Sequence, residues 1–448
     1  MFLKTDSGSF KDRDIFMGLT EQIRDAGVVG CGGAGFPADR KLDCNAEIFI
    51  INGIECEPLL RTDRFLMEQN AQQIVQTAKA LKEHLGAFRT VIAVKKHYAD
   101  AVNKLKEALT GTDIELYLSD SFYPAGDEQN LVFSITGRCV PTGGIPLDVG
   151  CVVSNVSTVM NIANAMKDIP VTTKSVTVSG CVKQPMVVEC PIGTPLSQLI
   201  EAAGGTQGKC EYILGGPLMG SIITDLSMPV TKTTGGLLAV PEGHRLLSLK
   251  AFNDADRKLA QAACSQCSMC TQMCPRNAMG LNVQPHKAMR AYGSGNEGLL
   301  QDVNGIFSCC DCGVCTYYAC NFGLKPGKVM QQMKQMLSQQ NIKPVKEVRY
   351  KPDAGIANKR IPVNRLMMRL CLSDLDRDVI NGGSISCSHV KIPLKMHIGA
   401  ACEPVVRVGM SVNKGEPVAK PRGLGAVIHA SVTGKIVNIT DDHIEIKE

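Results

Sequence analysis

The sequence predicts a multidomain α/β protein, and three observations carry that prediction. Through the first third of the chain, strand-length apolar runs such as Glu47-Ile48-Phe49-Ile50-Ile51 and Thr90-Val91-Ile92-Ala93-Val94 alternate with segments of helical period such as 100–109. A helical stretch over 247–337 then carries two dense cysteine runs. Beyond residue 390, short polar–apolar alternations between glycine turns predict a small barrel. At 448 residues the chain is too long for one core, and ordinary domain lengths suggest about three units.

Composition narrows the function. No apolar run approaches the roughly 18 residues of a membrane span. The net charge of +5 is small for this length and forms no long basic block, which argues against nucleic acid as a partner. The opening MFLKTDSGSFKDRD lacks the charged-then-apolar design of a leader, and twenty cysteines call for a reducing compartment, so the cytoplasm is expected.

The cysteine runs are the most specific signal. Cys264-x-x-Cys267-x-x-Cys270-x-x-x-Cys274-Pro275 is answered by Cys309-x-x-Cys312-x-x-Cys315-x-x-x-x-Cys320. Three cysteines at every third position can wrap one iron–sulfur cubane, while a fourth, set apart, reaches the neighbouring cluster. Two [4Fe–4S] clusters are therefore expected, with crossed ligands: Cys264, Cys267, Cys270 and Cys320 for one, Cys309, Cys312, Cys315 and Cys274 for the other. Structural zinc wants two separated pairs, and a disulfide framework wants a short chain in an oxidising place. The second run departs from the pattern in its longer last gap, in Asn321 where Pro is usual, and in Cys310, a competing thiol beside Cys309.

Near the amino terminus, after an amphipathic segment over 14–23, comes Gly30-Cys31-Gly32-Gly33-Ala34-Gly35-Phe36-Pro37, with Lys41 just beyond. Glycines let backbone N–H groups approach an anion, and a nearby lysine adds charge. Gly30-x-Gly32-x-x-Gly35 also fits the dinucleotide fingerprint, but that motif needs a strand directly before it and here the period is helical. On the residues alone the loop is either a phosphate cradle or a plain turn.

Further motifs follow in order: Asn52-Gly53-Ile54-Glu55-Cys56-Glu57-Pro58, Tyr123-Pro124-Ala125-Gly126-Asp127-Glu128, and Val152-Val153-Ser154-Asn155-Val156-Ser157-Thr158. With the glycine loop they resemble the flavin mononucleotide (FMN) domain of the NADH-oxidising flavoprotein of respiratory complex I and, more closely, of the RnfC component of the Rnf electron-transfer complex. The resemblance implies an FMN site in which Gly32, Gly33 and Lys41 meet the phosphate or ring. It puts Asn52, Glu55 and Glu128 around the isoalloxazine and ribityl, and Asn155 and Thr158 at the far side. Gly30, Gly35, Phe36, Gly126 and Asp127 belong to the same motifs. Position 31 is Cys where the complex I loop carries Arg, and 127–128 is Asp-Glu where that family has two Glu, so the nicotinamide half-site departs from the pattern. Cys56 has no His near it in sequence and is expected to be a buried free thiol.

The strand-like Lys174-Ser175-Val176-Thr177-Val178-Ser179-Gly180 and the short helix opening at Pro195 and stopped by Gly204-Gly205 suggest a β-grasp module. It resembles the soluble-ligand-binding β-grasp (SLBB) domain of the same families; with no convergent polar cluster in view, it is expected to act as a spacer. The methionines of 328–337 are expected to pack a core, and 341–358, rich in Lys, Pro and Asp, to be a linker. The final stretches 393–399, 403–409 and 429–437 resemble the barrel-sandwich hybrid module that RnfC proteins carry at their amino end. Lys395 and Lys435 lack the Asp-Lys hairpin of lipoyl carriers and are expected to be structural. The resulting division is an FMN/NADH α/β domain over 1–170, an SLBB-like β-grasp over 171–246, a ferredoxin-like two-cluster domain over 247–340, and linker plus barrel-sandwich hybrid over 341–448.

A barrel module placed last is the order found among the cobalamin reductases of propanediol-utilisation microcompartments. That likeness implies electrons passing from NADH through FMN and two [4Fe–4S] clusters to cobalamin, serving a corrinoid-dependent enzyme system. It also implies a place inside or at the shell of a bacterial microcompartment, with a shell protein as a further partner. No Asp-x-His-x-x-Gly corrinoid pattern is present, so cobalamin would be a transient acceptor. The competing readings are an RnfC-like electron-input component of a membrane ferredoxin:NAD oxidoreductase, a reductase of a ferredoxin or shell protein, and a cluster-bearing scaffold.

Overall fold

The computed structural model describes residues 11–300, 302–347 and 351–448. The stretch 1–10 that opens the leader reading, and the side chains of 14–17 in the amphipathic segment, lie outside the described residues. A helix does span Lys11–Asp25, and its Leu19 and Ile23 are buried.

The first unit is built on a parallel four-stranded sheet in the order Glu115–Ser119, Arg89–Lys95, Ile48–Gly53, Cys151–Asn155. Continuous apolar strands suit a parallel sheet because both faces are covered. Phe49 and Ile51 enter one core with Ile74, Leu81 and Leu85 of the helix Thr62–Leu85, whereas Ile48 and Ile50 enter a second core with Leu131 and Val132 of the helix Glu128–Thr136. The alternation follows from successive side chains pointing to opposite faces. The segment before the glycine loop is the helix Lys11–Asp25, so the strand a dinucleotide fingerprint requires is not in place.

The β-grasp sheet runs Ile380–Ser384, Met186–Pro191, Thr173–Gly180, Gly236–Pro241, Cys210–Leu214, Ser221–Ile223, with the helix Leu196–Ala202 packed through Leu196, Leu199 and Ile200. Its edge strand Ile380–Ser384 pairs parallel with Met186–Pro191 although it lies some 190 residues further along, in the segment that the sequence groups with the terminal barrel. Its alternation is masked by Asn381, Gly382 and Gly383, so periodicity gave no sign of it. Similarly, Ile361–Pro362 pairs with Phe122–Tyr123 of the first unit.

The cysteine-bearing unit is a set of short helices closed by Pro285–Ser294 and Pro326–Gln339, with Met330 and Met333 buried in its core, as packing methionines should be. The stretch read as a linker crosses the surface of its neighbours: Asp353 N–H donates to Ala278 O, and Thr142 bridges to Glu347. Its residues 348–350 lie outside the described residues.

The last unit consists of two small sheets, one ordered His389–Pro393, His443–Lys447, Gly434–Ile439, Ser411–Val412 and one ordered Cys402–Pro404, Pro417–Pro421, Ile428–His429. Val390, Ile392, Ile436, Ile444 and Ile446 join the same core as the first unit's helices. Lys232 is buried between three units and its Nζ donates to Gly27 O and Val427 O, both at 2.6 Å. A buried ammonium needs such acceptors to offset its desolvation.

Candidate functional site

The glycine loop is folded back by Gly30 N–H donating to Phe36 O at 2.9 Å and by a bridge between Val29 and Pro37. Cys31 N–H donates to Thr158 Oγ1 at 2.9 Å, which pins the loop to the first turn of the helix Val156–Ala165. Gly35 has φ of +76°, and a Cβ there would sit 3.0 Å from Met396 O, so the terminal barrel presses on the loop from behind. A Cβ on Gly32 would meet the Asn155 side chain at 3.1 Å, whereas Gly33 has open space in front of it. Gly33 is thus the point where a ligand can reach the backbone.

In front of this loop lies a cavity of about 540 Å³, within the range that holds a bound cofactor. All thirteen cofactor residues expected from sequence line it: Gly30, Gly32, Gly33, Gly35, Phe36, Lys41, Asn52, Glu55, Gly126, Asp127, Glu128, Asn155 and Thr158. Several are engaged in building the walls. Asn52 Nδ2 donates to Gly126 O at 2.9 Å while its Oδ1 accepts from Ile54 N–H at 3.0 Å. Asn155 caps its helix through Ser157 N–H at 2.9 Å and donates to Asp63 Oδ2 at 2.7 Å. A Cβ on Gly126 would lie 2.2 Å from Ile54 O, which explains glycine at that turn. At the rim, Lys41 Nζ donates to Glu128 Oε1 at 3.0 Å.

Glu55 is different. It is buried at the end of the strand Ile48–Gly53, its Oε1 takes only a long bond from Asp63 N–H at 3.4 Å, and its Oε2 meets no partner. Burial first, and the neighbouring Asp63 second, raise its carboxyl to about 8, so it is a neutral acid at pH 7 with spare hydrogen-bonding capacity in the cavity. An orphaned buried carboxyl of this kind fits a polar ligand rather than a packed core. Cys56 is pushed up to about 12, chiefly by burial, which agrees with an inert thiol.

The sequence reading missed Asp63, Lys174, Met219, Gly235 and Arg276 as lining residues, quoted Ser157 only within a motif, and read Cys310 and Cys312 as thiols of the second cysteine run and not as part of this cavity. Lys174, Met219 and Gly235 come from the β-grasp, and Arg276, Cys310 and Cys312 from the cysteine-bearing unit. Arg276 grips Asp127 with two hydrogen bonds, at 2.9 and 2.6 Å, and also reaches Gln129. Glu57 accepts from Leu218 and Met219 N–H at 2.8 and 2.7 Å, tying the first unit to the β-grasp. The β-grasp expected as a spacer therefore forms part of the cavity wall. The cysteine run marked Cys310 and Cys312, and Arg276 follows the first run directly after Pro275; nothing around Lys174 marked it.

Among the described residues no group of three His, Cys, Asp or Glu is arranged to hold a single metal ion. Instead Cys264, Cys267, Cys270 and Cys320, the first crossed set, line one small cavity together with His286 and Phe322. Burial, then Cys320, Cys264 and Cys267, push the Cys270 thiol up to about 12, so without a cation it stays protonated, and holding it as a thiolate there requires a compensating cation. Cys274, Cys309, Cys312 and Cys315 are likewise close enough to act on one another. The two runs share a backbone device: Gln266 and Asp311 both have φ of +57°, each two residues after its first cysteine, and Ser268 and Gly313, four residues after, have +60° and +72°. Left-handed turns at matching places wrap both runs about the same kind of object, although they cost non-glycine residues about 1–2 kcal/mol each. That match aligns Cys309, not Cys310, with Cys264. Cys310 lines the larger cavity beside Cys312, whose carbonyl accepts from the buried Tyr123 hydroxyl at 2.8 Å.

Comparison with known proteins agrees with this layout. Family models match the Nuo51 FMN-binding domain over residues 23–164, the SLBB domain over 175–220, a 4Fe-4S dicluster domain over 263–325 and the RnfC barrel sandwich hybrid domain over 383–448. Cobalamin reductase PduS of Salmonella typhimurium is 39% identical over 435 residues, covering 96% of each chain. One component of the proton-translocating ferredoxin:NAD(+) oxidoreductase complex of Clostridium ljungdahlii is 34% identical over 260 residues, 56% of this chain and 54% of that one. Among solved structures, an NAD+-reducing [NiFe]-hydrogenase in the H2-reduced state aligns over 73% of this chain and 62% of its own at 20% identity, with a TM-score of 0.48. With an FMN-binding domain, a 4Fe–4S dicluster domain and near-full-length identity to those reductases, the chain belongs to the PduS family of flavin and iron–sulfur oxidoreductases.

Proposed function

We propose that this chain is an NADH-dependent cobalamin reductase that carries one FMN and two [4Fe–4S] clusters and serves a corrinoid-dependent enzyme system. The observation that carries the reading is the shared cavity: the glycine loop with Glu55 forms one wall, and Cys310 and Cys312 of the second cysteine run form another. Bound FMN supplies conversion of a two-electron hydride into single electrons, and the clusters supply one-electron relay.

The chain's own residues prepare the site for that use. Gly33 leaves its backbone open to a ligand, Lys41 and Glu128 close the rim, and Glu55 offers a neutral acid where negative charge would otherwise repel an electron-rich ring. Cys274, Cys309, Cys312 and Cys315 would hold the cluster nearer the cavity. Cys264, Cys267, Cys270 and Cys320 would hold the other, where Cys267 is exposed to solvent and Phe322 beside it is 54% exposed. That outer set is the suitable exit toward an acceptor.

No described helix is long and apolar enough to cross a membrane. The name of the relatives matched over nearly their full length supports cobalamin as the acceptor; a microcompartment setting with a shell protein as partner rests on the order of modules in the sequence. The match to a component of a ferredoxin:NAD(+) oxidoreductase complex favours one second reading, in which the acceptor is a ferredoxin. Anaerobic NADH oxidation with hydroxocobalamin, and separately with ferredoxin, each followed at its own absorbance band, separates the two. Ferredoxin reduction without corrinoid reduction discards the cobalamin reading and leaves the flavin and cluster wiring standing.

A further inference from the structure

Lys174 stands out among the cavity residues. It is 7% exposed, it lines the cavity, and among the described residues its ammonium makes neither an ion pair nor a side-chain hydrogen bond. The other cations of the lining are paired, Lys41 with Glu128 and Arg276 with Asp127. A lysine buried to this degree without a partner is costly, and chains keep one where a ligand brings the missing anion.

Its placement says which part of a ligand that is. Lys174 is the second residue of the β-grasp strand Thr173–Gly180, which is fixed to the first unit where Thr177 Oγ1 accepts from Arg61 N–H at 3.0 Å and meets Thr62 Oγ1 at 2.8 Å. Its charge is felt by Asp63, the residue that takes hydrogen bonds from Ser157 Oγ at 2.9 Å and Asn155 Nδ2 at 2.7 Å. Lys174 therefore faces the first turn of the ten-residue helix Val156–Ala165, to which the glycine loop is pinned through Cys31 and Thr158. A helix amino terminus, a glycine loop and an unpaired buried ammonium together make a site for a phosphate.

Resting on the flavin reading above, we infer that Lys174 of the β-grasp module is a phosphate-binding residue of the flavin site, so that the module selects FMN over phosphate-free riboflavin. The alternative is that Lys174 only balances the buried Asp63; it predicts the same result for both flavins, because that carboxylate is present whichever flavin binds.

The test is titration of the full-length, cluster-bearing, flavin-stripped protein with FMN and with riboflavin, read by quenching of flavin fluorescence. The unaltered chain should bind FMN at least tenfold more tightly than riboflavin. Lys174→Gln should weaken FMN at least tenfold and leave riboflavin within about twofold, and Lys174→Arg should recover most of the FMN affinity. Riboflavin binding and cluster absorbance report whether each variant is folded. Equal loss of both flavins, or no loss of either, overturns the assignment. So does equal affinity of the unaltered chain for the two, a result that needs no variant. Uptake of neither flavin by the unaltered chain overturns the flavin reading itself and this assignment with it.

Discussion

Arg276 and Asp127 form a bidentate ion pair, at 2.9 and 2.6 Å, with both side chains about nine-tenths buried. Arg276 follows the cysteine Cys274 by two residues, and Asp127 caps the helix Glu128–Thr136 at the cavity wall, so the pair fastens the cysteine-bearing unit to that wall. Removing the cation leaves a buried carboxylate uncompensated. Arg276→Met should therefore destabilise the protein by about 3–5 kcal/mol, measured by chemical denaturation. Arg276→Lys should recover only part of this, since an ammonium cannot form the fork. The double change Arg276→Met with Asp127→Asn should restore more stability than Arg276→Lys does, and failure to do so would argue against the pair as the source of the loss.

Two glycines of the cavity separate ligand access from folding. Gly33 has open space before it, so Gly33→Leu should fold normally and lose FMN uptake because the new side chain occupies the approach to the backbone. At Gly126 a Cβ would fall 2.2 Å from Ile54 O, so Gly126→Ala should lower the melting temperature by several degrees before any ligand is considered. Heat release from protein purified without oxygen should free one FMN per chain. Intact FMN uptake by Gly33→Leu would contradict the cavity as the flavin site.

The matched left-handed turns of the two cysteine runs align Cys309, not Cys310, with Cys264. Chemical analysis should find about eight irons and eight sulfides per chain, since each cubane has four of each. Cys267→Ala and Cys312→Ala should each reduce the count toward four, and Cys310→Ala should leave it unchanged. Loss of a cluster on changing Cys310 would shift the register by one residue.

Glu55 gives a pH signature. Its carboxyl titrates near 8 in the folded flavin-free chain, raised from 4.5 by burial and by Asp63. Between these values the folded state holds a proton that the unfolded state has released. The unfolded state binds fewer protons there, so stability falls as pH rises from about 4.5 to about 8. Below 4.5 both states are protonated and the effect is absent. Glu55→Gln should flatten this decline, removing a dependence worth a few kcal/mol across the window, as read by denaturant titrations at pH 5, 6, 7 and 8. A decline of the same slope in the variant would assign the proton to another group.

Short-range chemistry was legible from the chain alone. Cysteine spacing is a local constraint, since thiols three positions apart are turned toward one centre, and Cys264, Cys267 and Cys270 line one cavity that Cys320 of the second run also reaches. The same holds for the glycine loop and the motifs around Asn52, Gly126 and Asn155, each of which sends residues into the lining of the larger cavity. Strands such as Ile48–Gly53 were readable because burial on both faces leaves a continuous apolar run. Tertiary structure alone decided what faces what. Periodicity records that a residue is buried, not its partner, so the pairing of Ile380–Ser384 with Met186–Pro191 left no trace in sequence. For the same reason the chain did not announce that Arg276 would meet Asp127, or that Lys174 would enter a cavity built mostly by the preceding unit. A buried charge is stable only beside a particular counter-charge or ligand, and that neighbour is chosen by how separate units dock.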